Sequence, residues 1–293
     1  MSRLFEALQQ SESEVQQPFP QPSSPKLQAE AVRLESLSEI EPAVPQLEQV
    51  RSLRIAPNAE SDLPFFADPN AIAFEKFRLL AFRLRQAQER SHFKRVLVTS
   101  SVVQDGKSLV SANLAVTLAE REKQKVLLIE GDLRLPRLGQ IFGLGRLAGL
   151  ADWTDQQHRP FTDFIYRLGE SSLWLLPAGR GKLSPLEVLN SEGLAKLMDE
   201  LTGWFDCIVI DSPPLVPLAD AHVWETLADA SLLVVREGKT PKKMLEKSLE
   251  ALDRSKLIGA VLNEATLSQH KYYHYYEPGQ AAGTLPTQEE AKN

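Results

Sequence analysis

Six short runs of apolar residues, many of them β-branched, follow one another from residue 94 onward: KRVLVTS, KVLLIEGD, LWLLPAG, FDCIVIDS, ASLLVVRE and LIGAVLNE. Stretches with helical spacing, such as ANLAVTLAE, lie between them. A strand that is apolar at nearly every position has no face to give to water, so it must be covered on both sides, and helices supply the cover. The pattern predicts an α/β fold with a mostly parallel sheet and helices on both faces. One further helix precedes the first strand. Phe74, Phe77, Leu80, Ala81 and Leu84 recur at three- and four-residue spacing, which predicts a helix that starts at Asp68-Pro69 and ends near Arg90.

Glycine and proline mark the limits of this region. The first glycine is Gly106, whereas nine of the 19 prolines fall at or before Pro69. Residues 1–67, rich in Gln, Glu, Ser and Pro, bury too little apolar surface to offset chain entropy and are expected to form a mobile arm. Leu4, Phe5 and Leu8 predict a short amphipathic helix at its tip. The ordered domain is expected over 68–266, and a flexible tail over 267–293.

A net charge of −6 removes the basic excess that a bulk nucleic-acid binder carries, so no nucleic-acid partner is expected. No run approaches the length of a membrane span, and the N-terminus lacks a basic region followed by an apolar one, so a cytoplasmic protein is expected. Cys207 is the one cysteine, set inside an apolar run, and reads as a core thiol. The five histidines show no metal-ligand spacing.

The first strand runs into Ser101-Val102-Val103-Gln104-Asp105-Gly106-Lys107-Ser108 and then into a helical pattern. Strand, loop and helix in this order form a phosphate cradle, because orphan backbone N–H groups and the positive end of the helix dipole converge on the loop. Lys107 is expected to neutralise β- and γ-phosphate charge, and the Ser108 hydroxyl to hold Mg²⁺. The nucleotide-binding run is Asp105, Gly106, Lys107, Ser108 and Leu109, with Ser101 standing where the strict pattern has glycine. Two other strands end in carboxylates, Glu130-Gly131-Asp132-Leu133-Arg134 and Asp211-Ser212-Pro213-Pro214. Carboxylates at the C-terminal edge of an open sheet are placed to hold Mg²⁺ directly or through water.

Together these motifs resemble the bacterial tyrosine kinases of exopolysaccharide and capsule synthesis (BY-kinases), a branch of the Min/Par-like P-loop ATPases. The resemblance rests on Gly106-Lys107-Ser108, on an apolar strand followed by Glu130-x-Asp132-x-Arg134-x-Pro136, on Asp211-x-Pro213-Pro214, and on LPAG at 176–179 and VLN at 261–263. It also rests on the tail, where four of the five tyrosines, Tyr272, Tyr273, Tyr275 and Tyr276, fall within KYYHYYEPG. The second loop position is Val102, not the lysine that partition and cell-division relatives carry, which disfavours a positioning ATPase. The interface pattern Glu-x-x-Arg-x-x-Arg of the family is met by Glu75 and Arg78 but has Ala81 in its last place.

The resemblance implies an ATP- and Mg²⁺-dependent autokinase whose tail tyrosines are phosphorylated by a neighbouring copy. Lys107 would face the phosphates, and Ser108, Asp132 and Asp211 would serve the metal. Glu130, or in second place Asp132, would accept the tyrosine proton; Arg134 would stabilise developing charge or form a surface ion pair. Implied partners are a membrane-spanning chain-length-determinant or activator protein, further copies of the chain and a protein-tyrosine phosphatase, with the chain peripheral at the inner face of the cell membrane. The alternative is an ATP-binding regulatory scaffold of the same fold with little kinase activity.

Overall fold

The computed structural model describes residues 47, 50–55, 72–121, 124–216 and 218–265. The chain divides into compact units 1–43 and 44–293, and the described residues all belong to the second. The six apolar runs are strands β2 (Arg95–Ser100), β3 (Val126–Glu130), β5 (Leu173–Leu176), β6 (Cys207–Asp211), β7 (Ala230–Arg236) and β8 (Leu257–Asn263). Two short strands join them, β1 (Ser52–Leu53) and β4 (Tyr166–Leu168). The eight form one sheet in the order β1-β4-β5-β3-β6-β2-β7-β8, parallel throughout except where β4 meets β5.

Helices α1 (Ile72–Ser91), α2 (Lys107–Arg121) and α3 (Leu138–Ile141) pack on one face. The opposite face carries α4 (Leu150–Asp155), α5 (Pro185–Leu189), α6 (Glu192–Trp204) and α7 (Ala219–Leu227), and α8 (Lys242–Ala251) packs near β7. Along α1 the predicted stripe is the buried one: Phe74, Ala81 and Leu84 are in the core and Phe77 and Leu80 pack against it. Every residue of β3 and β6 is buried, as the unbroken apolar runs require.

The proposed cap at Asp68-Pro69, the helix at Leu4–Leu8 and the tail tyrosines lie outside the described residues. Part of the stretch assigned to the mobile arm is structured. Leu47 and Val50 are buried in the core, and Ser52 and Leu53 pair with Arg167 and Leu168. The backbone ladder orders this segment, and two apolar side chains spaced three apart are too small a signal to stand out from a Pro- and Gln-rich background.

Cys207 is fully buried, and burial pushes its thiol up to about 12. It should resist alkylation in the native protein and react fully after unfolding in denaturant, since the thiolate is the reactive species. Mass spectrometry after iodoacetamide treatment checks this; rapid native labelling would contradict it.

Candidate active site

The register of the three central strands assembles the site. Val98 pairs with Asp211 across β2 and β6, and Asp211 with Glu130 across β6 and β3, so three strand ends meet at one edge. The loop between β2 and α2 arches over that edge. Its backbone takes left-handed values at Gln104 (φ 67°) and Gly106 (φ 93°). It is braced from the far side of the sheet: Arg236 Nη1 donates to the Gln104 carbonyl at 3.1 Å, and Asn263 Nδ2 donates to the Asp105 carbonyl at 3.0 Å. The Asp105 carboxylate is turned inward, accepting from Thr240 Oγ1 at 2.8 Å and from the Val102 N–H at 3.2 Å. Of Asp105, then, the backbone is what can be offered to a phosphate. Leu109 packs against the core, so its contribution to a nucleotide is likewise the N–H of the first helical turn.

Gly106 is required twice over. Its φ suits glycine, and an added Cβ would stand 2.0 Å from Asn263 Nδ2. Gly106→Ala should weaken nucleotide binding about tenfold or more, which is about 1.4 kcal/mol, by displacing either the loop or its Asn263 brace. Titration with a fluorescent ATP analogue checks this, and wild-type affinity in the variant would refute it.

Below the loop, Lys107 Nζ lies 2.9 Å from Asp132 Oδ2, with the two side chains only 12% and 3% exposed. Asp132 Oδ1 accepts the Leu135 N–H at 3.0 Å. Ser108 Oγ is 3.5 Å from Lys107 Nζ. Asp211, on the central strand, is fully buried; its Oδ1 is 3.5 Å from Ser111 Oγ, and its Oδ2 has no hydrogen-bond partner. Burial pushes its carboxyl up to about 7, and Glu130 and Asp132 add to the rise while Lys107 and the Ser108 hydroxyl oppose it. Ser101 Oγ is a second buried oxygen without a partner. Orphaned buried polar atoms beside a cation and a glycine loop fit a polar, charged ligand that brings its own hydration or metal. Among the described residues no group of three or more His, Cys, Asp or Glu forms a metal cage.

Lys107, Ser108, Asp132 and Asp211 are thus brought together. Glu130 shares their sheet edge, but its carboxylate is spoken for: Oε1 accepts the Leu138 N–H at 2.5 Å and Oε2 the Ala178 N–H at 3.1 Å. It ties the start of α3 to the loop after β5. Burial raises its carboxyl, and these backbone donors pull it back. Of the two carboxylates left open as proton acceptor, Asp132 is the one at the lysine.

Arg134 makes a two-pronged pair with Asp220, Nε to Oδ2 at 2.7 Å and Nη2 to Oδ1 at 3.1 Å. One turn further along α7, Trp224 Nε1 donates to the Gly131 carbonyl at 2.9 Å, and a Cβ on Gly131 would collide with that indole at 2.7 Å. Asp220 and Trp224 therefore hold the Gly131–Arg134 segment from both ends and fix Asp132 under Lys107. Nothing in their local sequence marks them for this. Asn263, by contrast, closes the VLN motif singled out above.

No protein-family profile matches the chain. The tyrosine-protein kinase YwqD of Bacillus subtilis is 35% identical over 211 residues, which are 71% of this chain and 88% of that protein. The succinoglycan biosynthesis transport protein ExoP of Rhizobium meliloti is 30% identical over 223 residues, 71% of this chain but only 28% of that longer protein. Among solved structures, the chimerical protein CapA2B2 superposes with a TM-score of 0.64 at 28% identity, covering 74% of this chain and 95% of that one.

Proposed function

The chain belongs to the bacterial tyrosine-protein kinases, and from that premise we propose that it is an ATP-dependent autokinase that phosphorylates Tyr272, Tyr273, Tyr275 and Tyr276 of a neighbouring copy and thereby regulates exopolysaccharide synthesis, chain length or export. The observation that carries the reading is the buried Lys107–Asp132 pair beside Ser108 and the half-unpaired Asp211. Kinship to a succinoglycan transport protein supports the polysaccharide context. Among the described residues no helix is long and apolar enough to cross a membrane. The same reading puts the chain at the inner face of the membrane through a membrane-spanning partner and assigns reversal of the modification to a protein-tyrosine phosphatase.

Phosphoryl transfer asks the protein mainly for position and charge neutralisation. Lys107 serves the β- and γ-phosphates, and the loop and first turn of α2 supply N–H donors. Mg²⁺, when bound, neutralises phosphate charge, with Ser108 and the unpaired Asp211 oxygen as the groups that would hold it or its waters. The tyrosine oxygen bonds to the γ-phosphorus as the bond to the β-phosphate oxygen breaks. ADP leaves, and the phenolic proton passes to a carboxylate. A phenol with pKa near 10 stays protonated until the bond forms, so the acceptor must be in place beforehand. Asp132 fits that role once Lys107 turns from it to the phosphates; Glu130 would first have to give up two backbone hydrogen bonds.

The scaffold reading draws on that same engagement of Glu130 and on Val103-Gln104-Asp105 in the loop, a stretch without glycine. Incubation with Mg-ATP, alone and with the cytoplasmic segment of the chain-length-determinant protein from the same source, separates the two. Phosphate mapped by mass spectrometry to the four tail tyrosines is expected. ATP binding without phosphotyrosine in either mixture would leave the scaffold.

A further inference from the structure

A cleft of about 790 Å³ opens beside the phosphate site, between the α3 end of the sheet and the loop after β5. Glu130 forms part of its wall, with Pro136, Ala178 and Gly179. Two arginines, Arg146 and Arg180, stand at it, and neither guanidinium has a hydrogen bond or ion pair among the described residues. Arg134, Arg159 and Arg236 are each tied to a carboxylate, whereas Arg146 and Arg180 stand exposed at the cleft. The negative groups near the cleft are already committed. Glu130 accepts two backbone N–H groups, and Asp152 accepts those of Gly149 and Arg180. The cleft therefore offers two unspent planar cations, the donor geometry that grips a phosphate monoester.

Its place in the sheet matters as much as its charge. The cleft lies over β5 and β3, while the Lys107–Asp211 cluster lies over β3, β6 and β2. One and a half strand spacings separate their centres, about 7 Å. Three residues of extended chain reach up to about 10 Å, enough to bridge the two. The tail repeats tyrosine at that interval, Tyr272 with Tyr275 and Tyr273 with Tyr276.

We propose that the Arg146–Arg180 cleft is a phosphotyrosine subsite: it holds a tail tyrosine that has already been phosphorylated, so that the tyrosine three residues away is presented to the γ-phosphate. This deepens the autokinase reading and rests on it for the source of the phosphotyrosine. It makes phosphorylation of the cluster self-reinforcing, the first event being slow and the later ones fast.

Synthetic peptides of residues 268–280, unmodified or phosphorylated on Tyr275, test binding to the nucleotide-free full chain by fluorescence anisotropy. The phosphopeptide should bind about tenfold tighter than the unmodified one. An Arg146→Ala/Arg180→Ala chain should lose that difference while keeping its ATP affinity and melting midpoint. Equal affinity for the two peptides, or a preference that survives the double substitution, overturns the proposal. So does inorganic phosphate competing as strongly as the phosphopeptide, since the cleft would then read free phosphate and not the tail. Intact-mass spectra during autophosphorylation add a second reading: multiply modified chains should appear early in the wild type and singly modified ones should accumulate in the double variant. Because the peptides are synthetic, their result stands even if the chain proves to have no kinase activity, so failure of the subsite and failure of the autokinase reading are told apart.

Discussion

Lys107→Met should lower phosphotyrosine formation on the order of a thousandfold, the loss seen when one preorganised charge-stabilising group is removed from a transition state. The methionine keeps roughly the length of the side chain but removes the cation paired with Asp132. It also leaves a carboxylate that is 3% exposed without its partner. Breaking a buried pair from one side costs about 3–5 kcal/mol unless the orphan neutralises itself by taking up a proton. The inactive variant should therefore be less stable as well, and the two effects must be separated. Lys107→Met/Asp132→Asn removes the orphaned charge, so its urea midpoint should recover toward that of the wild type while activity stays lost. Radiolabelled ATP and a denaturation series measure both. More than a tenth of wild-type activity in the single variant would place the phosphate-neutralising charge elsewhere.

What could be read from the sequence follows from how local each signal is. The six long strands announce themselves because burial on both faces leaves no room for polar residues, and β3 and β6 carry five buried residues each. Strand β1, of two residues, is held by ladder bonds to β4 more than a hundred residues on, and β4, of three residues, pairs with the neighbouring β5; both are too short to carry a pattern of their own. The site shows the same division. Gly106, Lys107, Ser108, Asp132 and Asp211 stand at strand ends where chemistry and topology coincide. The direction in which Glu130 points is set by the N–H groups of Leu138 and Ala178, eight and 48 residues away, and no spacing rule reaches that far. Nor does any motif reveal that Thr240 and Arg236 clamp the phosphate loop from the β7 side, or that Asp220 and Trp224 position the Asp132 segment.

The direction of transfer between chains gives the second large effect. Neither a Lys107→Met chain nor a chain with all four tail tyrosines changed to phenylalanine should acquire tail phosphate alone, whereas a mixture should load the Lys107→Met chain. Sheet order supplies the reason. The tail follows β8, an edge strand, and the candidate proton acceptors Glu130 and Asp132 sit at the end of β3, four strands away, or about 19 Å. Between them lies the phosphate loop, braced by Asn263 at the end of β8, with Arg236 joining Gln104 to Glu264 at the point where the chain leaves the sheet. A tail returning to its own site would have to pass that braced loop, and on the proposed reading the tail of a second copy enters instead from the β3 side, past the cleft of Arg146 and Arg180. Phosphotyrosine mapping of the mixture decides the matter, and dilution provides an independent check. Transfer between copies should slow with falling protein concentration, whereas a rate per chain that stays constant on dilution, together with an unmodified Lys107→Met chain in the mixture, would show that each chain modifies itself.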